Sequence, residues 1–405
     1  MAIELSNLTF TEQDDIVPVS GVEEILNTGI ANTLAGNDRI TGVGAGSKYS
    51  IFNSGTLNTA EGNDRITGIR NQTEDSPFGL YYAIFNQGGT IDTGNGNDII
   101  TGISKAGSAI ASYDDGIINT GNGDDTIAGT TLDHSGIAID SGGGLDTGNG
   151  NDIIIGIGTY GIRNFLTDFF NTGDGNDIIT GISTSFGYGI INQASIDTGG
   201  GNDAITGTIA NINDGYGILD AGVNIGFANG DSINTGDGDD IITGNADTAK
   251  SNSIGIFNRS NGGNSTIDTG DGNDIIIGTG SEYGIFNGGT INTGNGNDSI
   301  IANGGFGLIP GDSFYGSVSL GNGEDYLKGF GSGDFYGGKG QDTLELTPGS
   351  YTVRMTLKGV AFATTMNFAD NNLRVMYTSE FERIIGGSTT YDIASLTEGQ
   401  TIVVA

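Results

Sequence analysis

The chain has no cysteine, no tryptophan, one histidine (His134) and four prolines. It also has no apolar stretch approaching the roughly 20 residues that a membrane-spanning helix requires. The missing cysteines rule out disulfides, and together with the single histidine they leave no donor set for zinc or copper. Basic residues are scarce: 14 Lys and Arg stand against 49 Asp and Glu, a formal charge of −35. Nucleic acid and anionic membrane surfaces are poor partners for such a body, and cations are its obvious ones. Residues 1–28 do not resemble a secretory signal, because they lack a basic start and an apolar core and carry Glu12, Asp14 and Asp15 early.

Glycine is abundant, at 76 of 405 residues, and it recurs in a fixed loop whose fullest form is Thr-Gly-(Asn/Asp)-Gly-Asn-Asp-Ile-Ile-Thr-Gly. The closing carboxylates of twelve such loops are Asp38, Asp64, Asp98, Asp125, Asp152, Asp177, Asp203, Asp240, Asp274, Asp298, Asp325 and Asp342. Eleven of them follow one another at 24 to 37 residues, and the last after 17. A period in this range signals a solenoid, whose coils bury their apolar faces only against their neighbours.

The register holds at each offset. Ile or Leu always lies two residues after the Asp, as at Ile66, Ile100 and Leu327, beside a freely varying position occupied by Arg65, Ile99, Thr126 or Tyr326. Such a pair reads as an inward and an outward side chain on a strand. Seven residues before the Asp an apolar residue recurs (Leu57, Ile91, Phe170, Phe335), and two before it Gly is invariant. A third segment, Tyr49-Ser-Ile-Phe-Asn53 and its copies at Tyr82, Tyr160, Tyr188 and Tyr283, ends in an Asn expected to stack as a ladder. Three short strands per turn predict an all-β, three-sided parallel β-helix, a β-solenoid of about 12 coils. A flatter two-sided roll fits the spacing less well. The reading divides the chain into an N-terminal β cap (1–28), the solenoid (29–342) and a β-rich C-terminal cap (343–405).

This winding places one carboxylate per coil along a single edge. Strands stack about 4.8 Å apart, and unit charges at that spacing repel by about 1 kcal/mol in water and by several at an effective dielectric near 20. Calcium suits such a row, since it accepts six to eight carboxylate and carbonyl oxygens in irregular geometry. Against this stands the Asx turn, in which Gly-Asn-Asp needs no metal. The residue preceding the row Asp, Asn in eight loops and Asp in two (Asp124, Asp239), is assigned to stabilising the turn ahead of direct ligation. Thr five residues before the Asp, from Thr33 to Thr293, reads as a β-branched strand residue with a stacked hydroxyl. Its alternative is a flat Thr/Asn face that orders water, as on ice-binding solenoids.

The loop Gly-(Asn/Asp)-Gly-Asn-Asp-Ile-Ile resembles the glycine-rich nonapeptide of RTX, or hemolysin-type calcium-binding, proteins. The resemblance covers about residues 29–345. It implies calcium between loops of adjacent coils, held by Asp64, Asp98, Asp125, Asp152, Asp177, Asp203, Asp240, Asp274, Asp298 and Asp325. Carbonyls of the turn, around Gly96, Gly123, Gly150, Gly175, Gly201, Gly238, Gly272, Gly296 and Gly323, would complete the shell, with about ten ions in all. The chain departs from the family in having one nonapeptide per turn instead of two, so a single edge is metallated. Leu34 and Ala60 replace glycine in the first loops and Lys339 enters the last, which puts metal at Asp38 and Asp342 in question.

The final Thr401-Ile-Val-Val-Ala405 is similar to the C-terminal signal of type I secretion substrates. The resemblance therefore implies an exported, extracellular protein whose coils close on meeting calcium. No nucleophile elbow, Walker loop or His-rich motif occurs, and Lys48, Arg70, Lys105, Arg163, Lys250 and Arg259 share no offset, so an enzyme is not expected. His134 reads as a solvated loop residue. The leading expectation is a secreted structural or cell-surface calcium-binding solenoid, with self-association or a cell-surface polysaccharide as further partners. The alternative is a carbohydrate-binding or carbohydrate-modifying β-helix that uses a ridge of Tyr49, Tyr82, Tyr160, Tyr188, Tyr216 and Tyr283. The third is an ice- or mineral-ordering surface.

Overall fold

The structure is a computed structural model and describes residues 2–18, 23–44, 48–72, 81–132, 136–165, 169–185, 187–210, 224–246, 252–259, 265–307, 316–357, 364–369 and 375–405. His134, Tyr216 and Lys250 lie outside these. The chain separates into two compact units, Met1–Gly222 and Val223–Ala405, divided within the longest insertion between repeats. Each unit is a parallel β-helix with three strands per coil.

In the first unit one coil runs Tyr82–Gln87, Thr90–Asp92, Ile99–Ser104, and the next Ser108–Tyr113, Ile117–Asn119, Thr126–Thr131. Every strand pairs in parallel with its counterparts above and below, without slippage. Ile100 sits between Ile66 and Ile127, Ile91 between Leu57 and Ile118, and Ile84 between Ile51 and Ile110. Period-two side chains fix this register, since a one-residue slip would turn each isoleucine out to solvent. All nine of these residues are buried. The core is therefore three files of aliphatic side chains, one from each wall. Two walls approach very closely where Gly follows Thr: a Cβ on Gly102 would lie 2.5 Å from the Ala109 carbonyl oxygen.

The asparagines ending the Tyr-containing strands form the expected ladder. Asn27 Nδ2 donates to Asn53 Oδ1 at 2.8 Å, Asn53 to Asn86 at 2.7 Å and Asn164 to Asn192 at 2.8 Å. Asn53 also closes the corner with a bond to the carbonyl of Thr90 at 3.0 Å.

The second unit repeats the pattern, with Ser253–Asn258, Thr266–Asp268 and Ile275–Thr279 under Tyr283–Asn287, Thr290–Asn292 and Ser299–Asn303. Beyond residue 342 the winding continues: Arg383–Gly386 lies parallel on Thr343–Leu346, and Val375–Ser379 on Gly333–Tyr336. Antiparallel strands then cap the end, with Gly349–Leu357 between Thr364–Ala369 and Thr401–Val404. The C-terminal pentapeptide thus supplies an edge strand, and Ile402 is buried. At the other end Ala2–Glu4 and Ile16–Val17 pair in parallel with the first coils, and Leu5 plugs the core.

Candidate functional site

The loop before each long strand turns on two glycines. In the coil ending at Asp98 these are Gly94 and Gly96, at φ +90° and +145°. Stacking closes off any side chain here, because a Cβ on Gly96 would sit 1.6 Å from the carbonyl oxygen of Gly62. Glycine carbonyls thus run in file from coil to coil. The glycines at Gly123, Gly150, Gly175, Gly201, Gly238, Gly272, Gly296 and Gly323 share this left-handed backbone. Leu34 and Ala60 keep it too, at φ +69° and +67°, so the first two loops hold the turn despite a Cβ.

The twelve repeat aspartates all point into the loop edge and are at most 2% exposed. Ten of them use Oδ1 to accept a backbone N–H from the repeat Asp of the preceding coil. The distances are 2.7 Å from Asp38 to Asp64, Asp64 to Asp98 and Asp98 to Asp125, and 2.8 Å from Asp125 to Asp152, Asp152 to Asp177 and Asp177 to Asp203. In the second unit Asp240, Asp274, Asp298 and Asp325 donate to Asp274, Asp298, Asp325 and Asp342 at 2.8 to 3.0 Å. Sequence reasoning missed two further members. Asp15 N–H bonds Asp38 Oδ1, and Asp342 N–H bonds Glu382 Oε2, so the row reaches into both caps. Asp14-Asp15-Ile16-Val17 carried the signal, repeating the acid–acid–apolar end of the loop without its glycines.

The residue before each Asp makes a second ladder of opposite sense. Its side chain accepts the N–H of the following coil: Asn37 from Asn63 at 2.8 Å, Asn63 from Asn97 at 2.7 Å, Asn97 from Asp124 at 3.0 Å, Asp124 from Asn151 at 2.8 Å. Those bonds hold the exposed Asp124 carboxyl below its ordinary range. Adjacent turns are therefore tied reciprocally, as turn-stabilising residues should be.

The other carboxylate oxygen of the row is differently placed. Oδ2 of Asp38, Asp64, Asp98, Asp125, Asp152, Asp177, Asp274, Asp298, Asp325 and Asp342 is buried and makes no hydrogen bond of good geometry among the described residues. A buried acceptor left in this state is costly, and a charged one more so. Burial pushes the carboxyls up, with neighbouring acids adding to the effect; the hydroxyl of the Thr five residues earlier, as at Thr59, Thr93 and Thr147, and the backbone N–H bonds oppose it. Asp64 and Asp177 rise to about 6, and Asp125 and Asp152 to about 7. In the second unit Asp298 and Asp342 rise to about 6 and Asp325 to about 7.

Among the described residues no three His, Cys, Asp or Glu side chains converge on one point. The carboxylates come singly, one per coil, so any bound cation would draw most of its ligands from backbone carbonyls. An all-oxygen donor set with one orphaned anionic oxygen per coil fits a hard cation such as calcium.

For the threonines and tyrosines the alternative reading fails, and the threonines' reading as stacked hydroxyls holds. The threonines five residues before the Asp, including Thr93, Thr120 and Thr147, are fully buried, and their hydroxyls donate to the next coil's backbone at 3.3 to 3.5 Å, so they form no flat water-ordering face. The tyrosines do not form an open ridge. Tyr82 is buried, its ring stacks 4.3 Å from Phe85 and 6.1 Å from Tyr49, and Tyr160 stacks on Tyr188 at 5.8 Å.

One charged cluster was not foreseen. Arg163 grips the buried Asp140 through Nε at 2.7 Å and Nη2 at 2.6 Å, Tyr113 donates its hydroxyl to the same carboxylate, and Phe165 lies under the guanidinium at 4.5 Å. In this arrangement the guanidinium is committed to the carboxylate, which favours a structural clamp.

No protein-family model and no curated protein matches the chain. Among the described residues no helix is long and apolar enough to cross a membrane.

Proposed function

We propose that this protein is a calcium-dependent structural β-solenoid of the RTX type, whose coils close on calcium binding outside the cell. The observation that carries the reading is the file of buried Oδ2 atoms, as at Asp98, Asp125 and Asp152, which make no hydrogen bond of good geometry while the partner oxygen holds the preceding coil. Divalent cations between coils would satisfy these oxygens, with glycine-turn carbonyls completing the shell. Binding free energy then becomes folding free energy. In cytosol, where calcium is submicromolar, the uncompensated row disfavours closure and leaves a chain that a type I secretion channel can thread; millimolar calcium outside reverses the balance.

The test is Asp177→Asn, which keeps an Oδ1 acceptor for the ladder and removes one charge. Calorimetry during calcium titration should find fewer ions per chain than in the parent. An unchanged stoichiometry would count against ligation at Asp177.

A further inference from the structure

The wall that follows the aspartate row is a parallel sheet in continuous register. In the first unit it runs through Arg39–Gly44, Arg65–Arg70, Ile99–Ser104, Thr126–Thr131, Ile153–Gly158, Ile178–Ser183 and Ala204–Ile209. Its inner side is core. Its outer side presents three residues per strand, such as Ile99, Thr101 and Ile103, or Ile153, Ile155 and Ile157. These outward positions carry no acid at all, in a chain with 49 Asp and Glu. Isoleucine and threonine predominate, Ile178 is 43% exposed, and the only charges are Arg39 and Arg65 at one end.

We propose that this face is a homodimer interface, across which a second copy of the chain lays the same face. Three observations select that occupant. Two bodies of charge −35 can approach closely only where acids are absent, and this wall is such a place. Its rows recur every ~4.8 Å across strands and every ~6.6 Å along them, a corrugation that another copy of the same sheet matches, at the ~10 Å separation usual for stacked sheets. Seven strands of six residues make a plane of about 34 by 20 Å, or roughly 700 Å², close to the ~800 Å² per partner of a standard interface. An antiparallel two-fold arrangement covers the isoleucines of both copies and separates the two arginine ends.

The test uses the full chain in millimolar calcium. Sedimentation equilibrium should give twice the chain mass of 41.3 kDa. The double variant Ile155→Lys/Ile178→Lys, at outward positions, should raise the dimer dissociation constant at least tenfold with an unchanged strand signal. Because the chain has no cysteine, a second measurement is independent of that variant's folding. Ala128→Cys, on the middle strand of the face, should be captured as dimer by a short bifunctional maleimide, whereas Thr90→Cys, on another wall, should not. A wild-type chain that stays monomeric, a double variant that folds and still dimerises, or capture at Thr90→Cys alone would overturn the proposal. Retention of monomer on zwitterionic lipid vesicles, lost in the double variant, would assign the face to lipid and overturn it equally.

Discussion

Two rows of acidic positions run side by side through the same loops, and they treat charge in opposite ways. Six residues before the repeat Asp the first unit reads Asn58, Asp92, Asn119, Asp146, Asn171, Asp197, and the second Asn234, Asp268, Asn292. Within each unit no two acids in that row are neighbours. Three of the amides donate to the acid below them, Asn119 to Asp92 at 3.1 Å, Asn171 to Asp146 at 3.0 Å and Asn292 to Asp268 at 2.9 Å. This row is half-buried and complete without a cation. The Asp row has no such alternation: acid stacks on acid, fully buried, and Oδ2 makes no hydrogen bond of good geometry at Asp64, Asp98, Asp125, Asp152, Asp177, Asp274 and Asp298. The fold can therefore stack carboxylates harmlessly when amides intervene, and it declines to do so in one row. Under the proposed reading, the uniform row is where a counter-ion would sit.

The sharpest way to break the contrast is to make the uniform row alternate. Asp98→Asn with Asp152→Asn leaves Asp64, Asp125 and Asp177 separated by amides. Four neighbouring acid pairs vanish, each worth about 3 kcal/mol at an effective dielectric near 20. The chelated variant should keep a strand spectrum where the chelated parent loses it, and calorimetry should find fewer calcium ions per chain. Equal calcium dependence in the two proteins would show that the rows do not differ in this way.

Acid should imitate the same effect. Carboxyls raised to about 6 or 7 hold protons in the folded state that the unfolded chain, near its ordinary 3.8, has released. The metal-free fold binds more protons than the unfolded chain across that interval, so its stability falls as pH rises from about 4 to about 7. Chelated protein should show its fullest strand spectrum and highest melting temperature near pH 4 to 5 and lose both as the pH approaches 7.5. Calcium-loaded protein should lose its ions over the same acid range. A chelated protein equally stable at pH 5 and 7.5 would contradict the raised carboxyls.

The smallest effect is expected in the converse substitution. Asn119→Asp puts three acids in succession in the alternating row and should cost about 1 kcal/mol per new neighbour at low salt, fading as salt is added. Thermal melts at two ionic strengths would read it.

Much of this organisation was legible beforehand because a solenoid writes its register into every coil. The inward Ile at Asp+2, the apolar residue at Asp−7 and the Asn ladder all follow from periodicity, and the burial of Ile100, Ile91 and Asn53 bears them out. The direction of the carboxylate bonds was not legible. Whether Asp98 Oδ1 reaches its own turn or the N–H of Asp64 depends on coil-to-coil stagger, which no single repeat encodes. The open-face alternative for Thr93 could not be dismissed beforehand for a similar reason, since a corner residue can face either way; its reading as a stacked hydroxyl holds. The alternation from Asn58 to Asp197 was present in plain letters, yet its meaning required knowing that the row stacks in register. The Arg163–Asp140–Tyr113 clamp breaks the repeat, so periodicity gave no hint of it.

The central claim is that divalent ions hold the uniform row together. The most direct measurement is circular dichroism with sedimentation velocity on EDTA-treated protein at pH 7.5, followed by calcium titration with calorimetric stoichiometry. The account predicts an expanded, strand-poor chain that compacts cooperatively as it takes up about one ion per gap between loops, roughly ten in all. A metal-stripped chain as compact and heat-resistant as the calcium-treated one would contradict it.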